Sequence, residues 1–279
     1  MTMRMIELPS GQTIPSLGMG SWKMGESNKH LQREIEALRY GLERGLSLID
    51  TAEMYAEGGA EEVIARAIAG RRSAVFLVSK VYPHNASLKG VMAACERSLK
   101  RLNTDYLDLY LLHWRSSVPL AETLEAFQRL QQAGKIRDYG VSNFDVEDME
   151  EAVHLDGGKA IATNQILYNL TRRGVERNLL PWCRRRGMPI MAYSPIEQGR
   201  LLNNRVLQAI AQARDVTPAQ IAIAWLLHQD DVIVIPKSSR IEHIEENYAA
   251  LNLTLAPEEL ATLDTAFPAP ARTVPLEML

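Results

Sequence analysis

VFLVSKV (75–81) and LDLYLLHW (107–114) decide the fold. Each is a short β-rich run ending in an ionisable side chain, Lys80 or His113, and an amphipathic helical stretch lies between them. PIMAYSP (189–195) and VIVIPKS (232–238) repeat the pattern downstream. Strands alternating with helices imply a parallel sheet, because a parallel neighbour is reached only through a crossover. LGMGSW (17–22), LSLIDTA (46–52), YGVSNF (139–144) and ATNQILY (162–168) bring the number of candidate strands to eight, with no linker among them. Eight strand-helix units predict an α/β fold of the (β/α)8 TIM barrel class, one domain over residues 1–279.

The intervening segments carry helical signals. Leu88, Met92, Cys95, Leu99 and Leu102 form one apolar stripe behind a Ser87 cap, and Ile241, Ile244, Tyr248 and Leu251 form another. Thr217-Pro218 pairs a capping hydroxyl with a proline whose missing N–H costs nothing at the first helical position. Ahead of the first barrel strand, MIELPSGQTIP reads as two extended pieces around Pro9-Ser10-Gly11, an N-terminal β-hairpin closing the barrel bottom. Arg184-Arg185-Arg186 suits a helix end, where cations favour the dipole.

Composition narrows the function. A hydrophobic content of 46% with 23% charge is that of an ordinary globular chain, and a net charge of -3 offers no basic surface for nucleic acid. No apolar run approaches the roughly 20 residues that span a bilayer, and no leader-like segment opens the sequence, so a cytoplasmic protein is expected. Cys95 and Cys183 have neither metal-ligand nor redox spacing, and Cys95 falls on the apolar stripe; no metal is expected.

A barrel presents the C-terminal ends of its strands at one rim, so polar residues that end apolar strands mark the chemistry. The second strand finishes in Asp50, followed at once by Thr51, Ala52, Glu53, Met54 and Tyr55; the third ends in Ser79-Lys80 and the fourth in His113-Trp114. Taken singly, Asp50 suits a helix cap, Lys80 a solvated side chain, His113 a core imidazole and Tyr55 a loop aromatic. Together they are chemically coherent. A tyrosine with a pKa of about 10 is a poor donor at neutral pH, and a nearby ammonium favours its phenolate. Lys80 supplies the ammonium, Asp50 orients it, and His113 fixes a substrate carbonyl.

The ordered series DTAEMYAEGGAEEVI (50–64), VSK (78–80), LHW (112–114), GVSNF (140–144), NQILYN (164–169), AYSP (192–195) and IPKS with EEN (235–247) resembles the aldo-keto reductases over nearly the whole chain. The likeness is greatest to bacterial members that reduce small reactive aldehydes such as methylglyoxal. It implies a catalytic tetrad of Asp50, Tyr55, Lys80 and His113, with Tyr55 as the general acid while hydride passes from the nicotinamide to the carbonyl carbon. It further implies that Tyr193, with Ser194 and Pro195 beside it, stacks on the nicotinamide, and that Ser142, Asn143 and Gln165 bind its carboxamide. Ser21, Trp22 and Asp50 are further cofactor contacts; Trp22, Tyr55, Tyr82, His113 and Trp114 line the substrate pocket. Lys237, Ser238 and Arg240 embrace the phosphate end, and Glu246 and Asn247 grip the adenine. Where many relatives hold the 2′-phosphate with an arginine six residues after the motif lysine, this chain has His243, and Arg240 stands in. The resemblance implies NADPH rather than NADH, bound without a GxGxxG turn.

The expected partner is a small carbonyl compound, not nucleic acid or membrane, and the expected activity is that of an alcohol dehydrogenase-type reductase. Two other readings start from the same residues. Lys80 could form a Schiff base as in a class I aldolase, which needs a neutral amine that Asp50 opposes. A non-catalytic NADPH-binding sensor would keep the pocket but has no need of an intact tetrad.

Overall fold

A computed structural model describes residues 3–279. Met5–Glu7 (β1) and Thr13–Pro15 (β2) pair antiparallel as the expected hairpin, with Ile6 opposite Ile14. The strands that follow are Gly18–Gly20 (β3), Leu48–Asp50 (β4), Phe76–Val81 (β5), Leu107–Leu112 (β6), Ile136–Ser142 (β7), Ile161–Leu167 (β8), Ile190–Tyr193 (β9) and Val232–Val234 (β10). They form one parallel eight-stranded sheet in the order β10-β9-β8-β7-β6-β5-β4-β3. Parallel bridges from Leu17 to Val234 and from Gly20 to Lys237 join its two ends into a barrel. The helices are Leu31–Glu43 (α1), Gly59–Ala67 (α2), Leu88–Leu102 (α3), Leu120–Gln132 (α4), Val146–His154 (α5), Leu179–Arg184 (α6), Arg205–Ala213 (α7), Pro218–Leu227 (α8), Ile241–Ala249 (α9) and Pro257–Ala266 (α10).

Side chains alternate across a strand, and that period sorts the barrel into two cores. Leu48, Phe76, Val78, Leu109, Leu111, Met191 and Ile233 fill the interior, where Ile6, Leu8 and Ile14 of the hairpin join them and close the bottom. Ser10 Oγ, at the hairpin turn, donates to Asp138 Oδ2 at 2.9 Å and fixes that plug to β7. The alternate positions, Ile49, Leu77, Tyr110, Val141 and Ile190, pack outward against the helices. The same parity carries upward. Asp50 follows Leu48, Lys80 follows Val78, and His113 follows Leu111, so each strand's inward row ends in a polar group at the upper rim.

The helices obey their sequence signals with one exception. Ser87 accepts from Gly90 N and caps α3, whose Cys95, Leu99 and Leu102 are buried. Thr217 and Gln220 make a reciprocal capping box at the start of α8, and the arginine cluster straddles the end of α6. On α9 the expected stripe is narrower: Ile244 is buried, Tyr248 and Leu251 are partly so, and Ile241 is exposed. Ile241 is the first residue of α9. No helix among the described residues is long and apolar enough to cross a membrane.

Candidate functional site

Three strand ends and one strained loop converge at the upper mouth. After β4 the chain runs on beside β5, with Thr51 N donating to Val78 O at 2.9 Å and Glu53 N to Lys80 O at 3.3 Å. It then reverses through three consecutive left-handed residues, Ala56, Glu57 and Gly58, at φ 49°, 53° and 96°. The φ of Gly58 favours glycine, and a Cβ there would sit 2.5 Å from the Arg101 side chain and push it from its pairing with Glu61. The reversal leaves Tyr55 over the mouth, its ring edge-on to His113 at 5.7 Å.

Lys80 is fully buried, and its Nζ lies 2.8 Å from Asp50 Oδ2, 2.8 Å from Thr51 O and 3.4 Å from the Tyr55 hydroxyl. All three N–H bonds of the ammonium are thereby used, an arrangement for a charged lysine and not for a nucleophilic one. Burial draws the Lys80 ammonium below its ordinary range, while Asp50 and Glu61 oppose that shift. The other Asp50 oxygen accepts from Gln165 Nε2 at 2.8 Å, a link across the barrel that sequence reading missed.

The direction of the Tyr55 shift corrects an expectation. Its hydroxyl is held well above the usual tyrosine range, first by burial and then by Asp50. In the resting site these two effects outweigh the pull of the Lys80 ammonium, whose charge is shared with Asp50 at 2.8 Å. Tyr55 therefore keeps its proton at neutral pH. His113 is pushed the other way: burial, then Lys80, lower its pKa to about 2, so the imidazole is neutral. Its Nδ1 is buried without a partner, which leaves Nε2 as the ring nitrogen to meet a substrate.

His113 makes a stability prediction. Its folded value near 2 lies below its unfolded value near 6.5, so the unfolded chain binds the proton first. The stability it contributes is intact above about pH 6.5 and is lost as pH falls below that value. Urea midpoints measured between pH 7 and 5 should fall more steeply for the natural chain than for His113→Gln; parallel slopes would contradict the buried neutral imidazole.

The remaining predicted residues fall in two groups around this centre. Ser142, Asn143 and Tyr193 adjoin one another, with Tyr193 Oη donating to Asn143 Oδ1 at 2.9 Å and Asn143 Nδ2 to His113 O at 3.1 Å. Ser142 Oγ donates to Gln165 O at 2.8 Å. Ser21, at the end of β3, is buried with its hydroxyl unpartnered, and Trp22 beside it is 40% exposed at the mouth. Ser194 is left-handed at φ 51° and Pro195 is buried. Just beyond β10, between the ends of β9 and β3, Lys237 is half-buried, Ser238 Oγ accepts from Arg240 N at 3.1 Å, and the Arg240 guanidinium contacts His243 Nε2. Glu246 and Asn247 follow on α9, Asn247 buried.

The pocket wall is a run of ring contacts: His113 to Trp114 at 4.9 Å, Trp114 to Tyr82 at 5.2 Å, and Tyr82 to His84 at 4.3 Å. His84 escaped the sequence reading; its only signal was its place two residues after Tyr82. The C-terminal segment also reaches the site. Arg172 holds Glu277 at 2.5 Å and Glu197 at 2.8 Å, and Leu279 N lies 3.4 Å from the Tyr193 hydroxyl. A cavity of about 240 Å³ beneath this segment is lined by Arg172, Leu179, Val274 and Glu277 and by none of the tetrad.

Residues 16–267 match the Aldo/keto reductase family. The chain belongs to that family. It is 50% identical to the methylglyoxal reductase YeaE of Escherichia coli (strain K12), over the whole of both chains. Its fold is similar to a crystal structure of an aldo/keto reductase from Klebsiella pneumoniae in complex with NADP and acetate, at a TM-score of 0.97 and 48% identity with both chains fully covered. A second Klebsiella pneumoniae structure, in complex with NADPH, matches equally at TM-score 0.97, 48% identity and full coverage of both chains. As a member of this family the chain is an oxidoreductase.

Proposed function

We propose that this reductase converts small aldehydes and ketones, methylglyoxal-like α-dicarbonyls among them, to alcohols with NADPH, and that Tyr55 donates the proton. The observation that carries the reading is the buried ammonium of Lys80, held by Asp50 and Thr51 O within 3.4 Å of the Tyr55 hydroxyl. The half-identical methylglyoxal reductase supports the substrate class, and the NADP and NADPH complexes of the Klebsiella relatives support the cofactor.

The residues around the tetrad fit a nicotinamide dinucleotide. Ser21 offers an unpartnered buried hydroxyl beside Trp22, and Tyr193 offers a ring fixed by Asn143. Ser142, Asn143 and Gln165 adjoin that ring to hold the carboxamide, Ser194 and Pro195 shape the turn next to it, and Glu246 and Asn247 take the adenine. Lys237, Ser238 and Arg240, with His243 backing the guanidinium, suit the doubly charged 2′-phosphate. When bound, NADPH supplies the hydride. Tyr55 keeps its proton until negative charge grows on the carbonyl oxygen and then transfers it there. Lys80 stabilises the phenolate that remains, Asp50 keeps Lys80 oriented, and the neutral His113 Nε2 donates to the same carbonyl oxygen. Trp22, Tyr82 and Trp114 exclude water from the carbonyl.

Absorbance at 340 nm with methylglyoxal, NADPH and NADH in parallel tests the proposal. NADPH should be consumed faster, and Lys237→Ala with Arg240→Ala should weaken NADPH by about 100-fold or more while leaving NADH within a few-fold. Equal losses for the two cofactors would displace the 2′-phosphate from this patch. Absence of turnover with either cofactor over a panel of carbonyls, despite tight NADPH binding, would favour the sensor reading.

A further inference from the structure

We propose that Glu53 is a positioning residue for the reduction, its carboxylate setting Tyr55 and the aromatic wall in fixed relation across the mouth. The inference rests on the reading of Tyr55 as proton donor. Glu53 lies two residues before Tyr55, is only 8% exposed, and touches none of the tetrad side chains. Its Oε1 accepts from Tyr82 N at 2.7 Å and from Asn85 Nδ2 at 2.9 Å, and Oε2 faces Arg97 Nη2 at 3.4 Å. Its own backbone N donates to Lys80 O at 3.3 Å. One side chain thus staples the loop bearing Tyr55 to the loop bearing Tyr82 and His84.

The staple matters because the polar end of Tyr55 is lightly held, although its ring packs against His113. Its hydroxyl has only the 3.4 Å contact from Lys80, and the chain immediately after it is the left-handed reversal at Ala56, Glu57 and Gly58. A buried carboxylate is costly unless its oxygens are satisfied, and here the backbone and amide of the facing loop satisfy it. Cutting the staple frees the donor and the wall to move apart, and a displacement of about 1 Å at a reacting group costs on the order of 100-fold in rate.

Glu53→Gln, Glu53→Asp and Glu53→Ala separate geometry from charge. Glutamine keeps Oε1 for both loop donors, and the half-exposed Arg97 can swing into water; aspartate keeps the charge but falls one methylene short. With methylglyoxal, Glu53→Gln should stay within about threefold of the natural kcat, Glu53→Asp should lose about tenfold and Glu53→Ala up to about 100-fold, with NADPH affinity unchanged in all three. For 4-nitrobenzaldehyde, which needs the aromatic wall, KM should also rise in Glu53→Asp and Glu53→Ala. Aspartate outperforming glutamine would mean that Glu53 acts through its charge, and natural kcat in Glu53→Ala, or a parallel loss of NADPH affinity, would equally overturn the proposal. Tyr55→Phe is measured alongside: near-natural turnover in that variant refutes the donor assignment itself, whereas a severely impaired Tyr55→Phe beside a fully active Glu53→Ala refutes only the role of Glu53.

Discussion

Replacing Tyr55 by Phe is expected to lower kcat with methylglyoxal by about two to four orders of magnitude, the range that a positioned general acid contributes. The ring stays, so its edge contact with His113 at 5.7 Å and its packing survive. Only the hydroxyl is lost, and that hydroxyl has a single long partner in Lys80 at 3.4 Å. Folding stability and NADPH affinity should therefore change little, the latter within a few-fold. The raised pKa of Tyr55 sharpens the expectation: a phenol that holds its proton at neutral pH is present as the acid, with no prior protonation needed. Stopped-flow and steady-state rates, with NADPH binding followed separately by fluorescence, decide the matter. Near-natural turnover would remove Tyr55 from the mechanism and assign the proton to water or to another group.

Lys80→Met should have the largest effect on the fold. Lys80 and Asp50 form an ion pair at 2.8 Å with side-chain exposures of 0% and 3%. Removing one partner of a buried pair leaves the other charged and unpaired, which costs about 3–5 kcal/mol, whereas removing both costs much less. Methionine has nearly the length of lysine without its charge, so little cavity is created. Denaturant unfolding should show Lys80→Met destabilised by that amount, and Asp50→Asn combined with Lys80→Met should recover a large part of the loss. If the two single losses simply add in the double variant, the pair is not coupled in the folded chain. Activity should be lost in every member of this cycle, so stability and not rate is the informative readout.

Most of the architecture was legible in the sequence. All eight parallel strands lie on the short β-rich runs, and the Ser87 and Thr217 caps open α3 and α8 as their residue types require. These are local features: strand runs, helical period and capping chemistry act over a few residues. Ile241 is the exception among the helices: it lies on the apolar stripe yet is exposed at the start of α9, and period alone does not say how far a neighbour extends over a helix end.

The candidate site was legible in part. The residues at the ends of β4, β5 and β6 were expected to converge, and strand parity makes them do so: Asp50, Lys80 and His113 each extend an inward row whose lower members are Leu48, Val78 and Leu111. The tertiary structure decided the rest. Thr51 O as a partner of Lys80, Gln165 as a partner of Asp50 across the barrel, and Glu53 as a staple between loops are contacts between residues 29, 115 and 29 positions apart. No spacing rule in a single chain encodes such pairings. The sign of the Tyr55 shift was misread for the same reason. Sequence places an ammonium and a carboxylate near a phenol, but only the packed structure shows that burial, with Asp50, dominates the phenol's environment. The sequence by itself determined which groups arrive at the mouth, since strand period and strand order suffice for that; their protonation and their mutual support belong to tertiary structure, because both depend on solvent exclusion and on distances set by the closed barrel.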